Sequence, residues 1–277
     1  MNSKNAGSPR IHILCGNATY NKGDRVNLAS QISLLRKEYP LARLTVESYL
    51  PERDSRWYGA TFIKRKIISL RQWKLLYESD LVIWGGGALI ADNAGRLLIS
   101  YWVVMISAIK IVLRKPIIAW AHGIVLETNF GKRMAKLAYG MVDIITTRDI
   151  HSFQSLQALH VKTPHYLTCD PAILVKSSSA EVGRKILRDE GIPMDKPLVS
   201  ISPTFWQLYH NKNDFLPFFF ASALGLRKNR KSKEIVSLMK QLAKLADALV
   251  AQFDCRVVFL PRYAEKRWPD IRYIEEI

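Results

Sequence analysis

The sequence predicts a mostly parallel, doubly wound α/β domain followed by a second, smaller Rossmann-like unit. Short apolar runs recur over about 170 residues with helical patterns between them. Several of these runs are apolar on both faces, which suits strands covered by helices on each side. Glycine, asparagine, aspartate, histidine or arginine follows most of them directly, at the carboxyl ends where doubly wound sheets bind ligands.

The first strand is read at Ile11–Cys15, ending at Gly16-Asn17. Gly23-Asp24 opens a helix over Arg25–Tyr39, with Val26, Leu28, Ile32 and Leu35 at mostly three-to-four spacing. Leu44–Tyr49 is a second strand, and Leu81–Trp84 a third that ends at Gly85-Gly86-Gly87 before a helix. Leu97–Leu113 is apolar enough to test as a membrane span. Lys110 lies inside it and Pro116 follows closely, so a buried crossover helix is expected instead. Strands at Ile117–Ala121, Ile144–Thr147 and Tyr166–Cys169 alternate with helices around Lys132–Met141 and at His151–Leu159. Residues 1–178 thus form an N-terminal Rossmann-like domain.

A helix at Ala180–Glu190 and the turn Gly191-Ile192-Pro193 fill a linker, residues 179–196. Residues 197–277 carry a strand at Leu198–Ser202, an amphipathic helix at Ile235–Phe253 and a strand at Arg256–Leu260. Two strands are too few for an independent parallel sheet, so this unit reads as a partial, truncated C-terminal domain.

Lysine and arginine number 41 against 24 acidic residues, a formal charge of +17. Such a field attracts polyanions or phosphorylated molecules, and no nucleic-acid motif focuses it, so no nucleic-acid partner is expected. Cys15, Cys169 and Cys255 are odd in number and lack zinc spacing, which favours a reducing, cytoplasmic compartment. Met1–Arg10 lacks the apolar core of a signal peptide. The run Arg227–Lys233, preceded by Phe218–Phe220, reads as a solvated helix entry or as a peripheral contact with an anionic membrane surface.

The strand ends supply the candidate chemistry. Gly85, Gly86 and Gly87 would let backbone N–H groups approach an anion, or simply make a tight turn. Within Asn21-Lys22-Gly23-Asp24, Asp24 is either the cap of the next helix or part of a cleft. Arg148 could grip a carboxylate or phosphate bidentately, or pair with Asp149 on the surface. His122 is a candidate acid or base, with a structural hydrogen-bonding role as the alternative. No metal spacing, serine elbow or cysteine nucleophile context is present.

Read in order, several segments resemble the polysaccharide pyruvyl transferase family. They are Asn21-Lys22-Gly23-Asp24, Ser79 through Gly87 with Asp92, Lys115-Pro116, Thr147-Arg148-Asp149 with Ser152, Asp170-Pro171-Ala172, and Val258-Phe259-Leu260-Pro261 with Asp270. The resemblance implies a GT-B-like fold and transfer of pyruvate, as a ketal, from phosphoenolpyruvate to a sugar of a polysaccharide or lipid-linked oligosaccharide. It implies no cofactor, phosphoenolpyruvate and a saccharide acceptor as partners, and a cytoplasmic, membrane-adjacent setting for exopolysaccharide biosynthesis. Arg148 is the expected donor contact, with His122 as the second catalytic candidate. Asn21, Gly23, Asp24, Gly85, Gly86, Gly87, Asp92, Asp149, Ser152 and Asp170 are the expected substrate-binding set. The family's late Arg-x-His-type motif has no counterpart before Ile277, and Gly123-Ile124-Val125-Leu126 and Ser202-Pro203-Thr204 replace two further family patterns. A sugar-nucleotide-dependent GT-B glycosyltransferase and a catalytically inactive, truncated homologue are the alternative readings.

Overall fold

The computed structural model describes residues 8–66, 69–92, 95–205, 215–216, 232–263 and 269–277. The chain divides into two compact units, the first passing into the second between Val175 and Lys176, with residues 215–216 belonging to the first. Phe218–Phe220 and all of the basic run before Ser232 lie outside the described residues.

The first unit is a seven-stranded sheet, and every adjacent pair is parallel. Its strands are β1 (Arg10–Leu14), β2 (Arg43–Ser48), β3 (Thr61–Lys64), β4 (Leu81–Ala91), β5 (Ile117–Val125), β6 (Ile144–Thr147) and β7 (His165–Leu167). They lie in the order β3-β2-β1-β4-β5-β6-β7, so the strand order reverses between β1 and β4. Helices α1 (Lys22–Glu38), α2 (Pro51–Tyr58), α3 (Leu70–Glu78), α4 (Arg96–Ser107), α5 (Asn129–Met141) and α6 (Ile150–Ala158) connect them. In β4, Val82 and Trp84 enter one apolar core with Ile99, Trp102 and Tyr139, while Ile83 enters another with Leu28 and Ile32. This double burial is why the strand reads as a continuous apolar run.

Several expectations are corrected. The segment between Tyr49 and Ser79 holds α2, β3 and α3, three elements beyond those expected from the sequence. Helix α1 begins at Lys22, and its cap is Asn21, whose side chain accepts from the Gly23 and Asp24 amides. Asp24 is therefore a first-turn residue. Strand β4 does not stop at Trp84 but runs through Gly85, Gly86 and Gly87 to Ala91, and α4 starts only after Gly95. Strand β5 likewise continues through His122 and Gly123 to Val125. A register shift precedes His122, where Ala121 adopts φ 55° and donates its amide to Thr146 Oγ1 at 2.7 Å.

The crossover helix is as expected. α4 buries Ile99, Trp102, Met105 and Ile106, and a π-helical turn, Ala108–Val112, buries Ile109. Lys110 sits in this turn and is neutralised by Asp143 at 2.6 Å. No helix among the described residues is long and apolar enough to cross a membrane. The carbonyl of Phe215 accepts from the Leu97 amide at the head of α4, which ties that part of the aromatic stretch to the first unit.

The second unit contains α7 (Ala180–Asp189), β8 (Leu198–Ile201), α8 (Lys233–Phe253), β9 (Arg256–Phe259) and α9 (Pro269–Ile274). β8 and β9 pair in parallel. Phe205, Ile235, Met239, Cys255 and Tyr273 are buried in this unit, and the Phe205 and Tyr273 rings meet edge-on at 5.3 Å.

The glycines of β4 are there for space. A Cβ on Gly86 would stand 1.8 Å from Asn27 Oδ1, one on Gly85 2.7 Å from Gln31 Oε1, and one on Gly87 3.0 Å from Asp24 Oδ1. Gly86 and Gly87 also adopt φ of 23° and 97°. Gly86→Ala should therefore cost about 3 kcal/mol or more in denaturant unfolding. Gly140, in α5 with nothing near its added methyl, should gain up to ~1 kcal/mol on replacement by alanine. Equal stability of the two variants would refute this reading of the glycines.

Candidate functional site

The carboxyl ends of β1, β4, β5 and β6 converge on a polar cluster. Its base is the first half of α1, which presents Asp24, Asn27 and Gln31 to the β4 glycines. Asp24 Oδ2 accepts from the Asn17 amide at 2.9 Å, and an added Cβ on Gly16 would meet the same oxygen at 2.7 Å. The β1–α1 loop thus closes on its own helix.

Asn27 is buried and extends the cluster. Its Nδ2 donates to Asp170 Oδ1 at 2.9 Å, and the Ala172 amide donates to the same oxygen at 3.0 Å. Asp170 Oδ2 accepts from Arg148 Nη1 at 2.8 Å. The Arg148 backbone is fixed by donation to the His122 carbonyl at 3.2 Å. Gly123 leaves room for the guanidinium: an added Cβ there would lie 2.9 Å from both Nε and Nη2. Among the described residues Asp170 is the only hydrogen-bonding partner of this guanidinium, and Arg148 and Asp170 are 30% and 37% exposed at their side chains. The result is a held but accessible arginine edge, suited to a planar or tetrahedral anion.

The structure places other expected residues differently. His122 is fully buried, packed edge-on against Trp84 and Tyr139. Its Nε2 lies 2.9 Å from the Trp84 carbonyl, which can only accept, so Nε2 carries the proton. Nδ1 then accepts from the Tyr139 hydroxyl at 2.9 Å. Burial pushes this imidazole down to about 4, the Trp84 carbonyl opposes that, and the Arg148 charge adds to it. The ring is thus neutral, with both nitrogens engaged inside the core.

Asp92 is also fully buried. Its carboxylate accepts from the amides of Glu127 and Thr128 and from Thr128 Oγ1, and it fills the space a Cβ on Gly131 would need. These contacts fasten the β5–α5 loop. Ser152 Oγ, buried, accepts from the Ile124 amide at 2.8 Å, and Asp149 caps α6 by accepting from the Ser152 amide at 2.7 Å. These two set the β5 end beside Arg148. Gly23 is exposed at the head of α1, and Asn21 is engaged in its cap. Asn17, Asn27 and Gly123 belong to the cluster without being among the residues expected there. The available signal was Asn27 lying one helical turn after Asp24.

Among the described residues no group of histidine, cysteine, aspartate and glutamate side chains could hold a metal ion. The donor set is instead guanidinium, amide and carboxylate.

This arrangement, a parallel sheet with an arginine at a strand end and glycines under the first helix, defines a doubly wound α/β protein, GT-B-like by its likeness to the solved structures given below. The profile of the polysaccharide pyruvyl transferase family matches residues 21–277. The chain belongs to that family, and hence to a family of transferases. No match is found among curated proteins. Among solved structures, HepE of Anabaena, crystallised with UDP-glucose, aligns at TM-score 0.55 and 10% identity. The alignment covers 96% of this chain and 64% of that one, so the chain spans less than two thirds of that relative's length. A glycosyltransferase of Rickettsia africae aligns at TM-score 0.50 and 13% identity, covering 96% of this chain and 70% of the other. At such identities the likeness concerns the fold.

The His122 geometry has a pH consequence. Because its folded value lies near 4 and its ordinary value is 6.5, the unfolded chain binds a proton first as pH falls. The stability this group contributes is complete above pH 6.5 and is lost progressively down to pH 4, amounting to roughly 3 kcal/mol. Urea unfolding of wild type and His122→Asn across that window should show a shallower slope for the variant. Identical slopes would contradict the buried neutral imidazole.

Proposed function

We propose that the protein transfers pyruvate as a ketal from phosphoenolpyruvate to two hydroxyls of a saccharide acceptor. The observation that carries this is Arg148, held by Asp170 at the rim of the β5–β6 end with its Nε and Nη2 over Gly123, in a chain of the pyruvyl transferase family. Phosphoenolpyruvate offers a carboxylate and a phosphate, and a guanidinium fork complements either. Arg148 is the proposed donor contact. Asp170, Asn27 and Asp24 are its proposed positioning residues, with the head of α1 at Asn21 and Gly23 as a neighbouring wall.

In the proposed reaction the enol carbon C3 gains a proton and a sugar hydroxyl attacks C2. The C2–O bond to phosphate breaks, and the second hydroxyl closes the ketal at C2. One of the two hydroxyl protons balances the methyl group formed at C3, and the other leaves with phosphate. The proton carrier is not His122, whose nitrogens are engaged in the core. The setting proposed is cytoplasmic, with a lipid-linked or free oligosaccharide as acceptor.

The test uses the longest natural form of the protein with a panel of saccharide acceptors. Phosphate release from phosphoenolpyruvate should require acceptor and fall at least about a hundredfold in Arg148→Ala. Asp170→Asn should retain the fold, by circular dichroism, and raise KM for phosphoenolpyruvate more than it lowers kcat. Thermal stabilisation by a nucleoside diphosphate but not by phosphoenolpyruvate would instead favour a sugar-nucleotide glycosyltransferase and overturn the proposal.

A further inference from the structure

At the other half of the sheet's carboxyl edge lies a cavity of about 500 Å³ that the reaction above does not use. Tyr49 and Leu50 after β2, the first turn of α2, the end of β3 and Arg71 of α3 line it. Four cations line it, Arg53, Arg56, Lys64 and Arg71, with the carboxylate of Glu52; Asp54 behind the wall pairs with Arg53, which leaves Arg56, Lys64 and Arg71 against Glu52. Arg56, Lys64 and Arg71 are exposed. A volume of this size suits a small-molecule headgroup better than an extended polymer.

Two further features make the wall rigid and favourable to anions. Arg53 is fixed from three sides: Nε donates to Asp54 Oδ1 at 2.9 Å, Nη2 donates to the Thr19 carbonyl at 2.7 Å, and the guanidinium lies 4.5 Å over Trp57. Helix α2 starts at Pro51 after Leu50, which supplies no side-chain cap, so its first backbone N–H groups lie at the cavity wall beside the first-turn carboxylate of Glu52. Lys64 is drawn in by the Tyr49 carbonyl at 2.5 Å. The Tyr49 ring in turn stacks on Tyr20 of the β1–α1 loop at 5.8 Å, so the cavity adjoins the loop that ends at the α1 cap, Asn21.

We propose that this cavity binds a phosphate or diphosphate group, and that it anchors the phosphorylated end of the saccharide acceptor. The anchoring role rests on the pyruvyl-transfer reading; the anion site itself does not. The same chemistry serves a soluble sugar phosphate and a polyprenyl diphosphate headgroup in a membrane.

Calorimetry with inorganic pyrophosphate at physiological ionic strength tests the site. Wild type and Lys240→Gln, a control removing an exposed charge on α8, should bind alike. Lys64→Gln/Arg71→Gln should bind roughly tenfold or more weakly, with unchanged circular dichroism. Absence of pyrophosphate binding, equal binding by the double variant, or preference for glucuronate over pyrophosphate would overturn the proposal. Co-sedimentation with phosphatidylcholine vesicles, with and without polyprenyl diphosphate, separates the sources. Sedimentation that requires the lipid diphosphate and is lost in the double variant supports a membrane source, and soluble binding alone supports a free acceptor. Pyrophosphate binding without any phosphoenolpyruvate turnover would sink the reaction and leave the anion site standing. Turnover of a phosphorylated acceptor with unaltered KM in the double variant would sink the anchoring role.

Discussion

Helix α1 carries three polar residues, Asp24, Asn27 and Gln31, on the face it turns toward the sheet, and a sheet of ordinary side chains would hold that face away. Gly85, Gly86 and Gly87 remove the obstruction, each at the point where one of the three descends. The price is two positive-φ residues and three successive positions in β4 without a side chain to pack. The close seat of the helix sets the positions of the strand-end residues. Asn27 reaches Asp170 across the edge of β4, Asp170 fixes Arg148, and Asp24 closes the β1–α1 loop. These residues form one cluster because glycine lets the helix down onto the strand.

That constraint also explains why the supporting residues are buried and the arginine is not. Asp92, Ser152 and His122 all commit their polar atoms to backbone or core partners. Each holds a segment in place: the β5–α5 loop, the end of β5, and the β4–β5 seam. Desolvation makes such groups costly unless every bond is satisfied, so they are poor places for a titrating catalyst and good places for rigidity. Arg148 differs in that Asp170 engages one nitrogen and leaves the rest of the fork over a bare glycine.

The parallel sheet, the crossover helix and the order of the strand-end residues were legible because each rests on a local pattern. A run of Ile and Val flanked by glycine, or Lys110 inside an apolar helix, states its own constraint. Edge strand β3 is only four residues, Thr61–Lys64, too short for alternation to register. Its neighbour α2 did carry a signal, Pro51 at the start and Gly59 in the left-handed conformation after its end. The partners of the glycines and of His122 were not legible, because both depend on what lies across the fold. A triple glycine after a strand looks the same in sequence whether it turns toward a helix or continues as a strand under one. A histidine after an apolar run gives no sign that Tyr139, 17 residues on, will occupy its ring.

The two halves of the carboxyl edge differ in how they can attract an anion. Arg148 and Asp170 are a matched pair of opposite charges, so that cluster offers little net field. Its selectivity must come from the shape of the guanidinium edge and from the low entropy of a side chain already held. The β2–β3 cavity is lined by three exposed cations, Arg56, Lys64 and Arg71, and by one carboxylate, Glu52, while its fourth cation, Arg53, is paired with Asp54. Attraction there is long-ranged, and added salt weakens it, since exposed charges are screened over about 8–10 Å at ordinary ionic strength. Under the proposed reaction this division is useful. A mobile, charged acceptor is gathered by field, whereas a small donor that must be aligned for attack at one carbon is placed by geometry. A chain carrying +17 formal charge thus need not hold its donor by charge excess, and the arginine proposed for that task is paired with an aspartate.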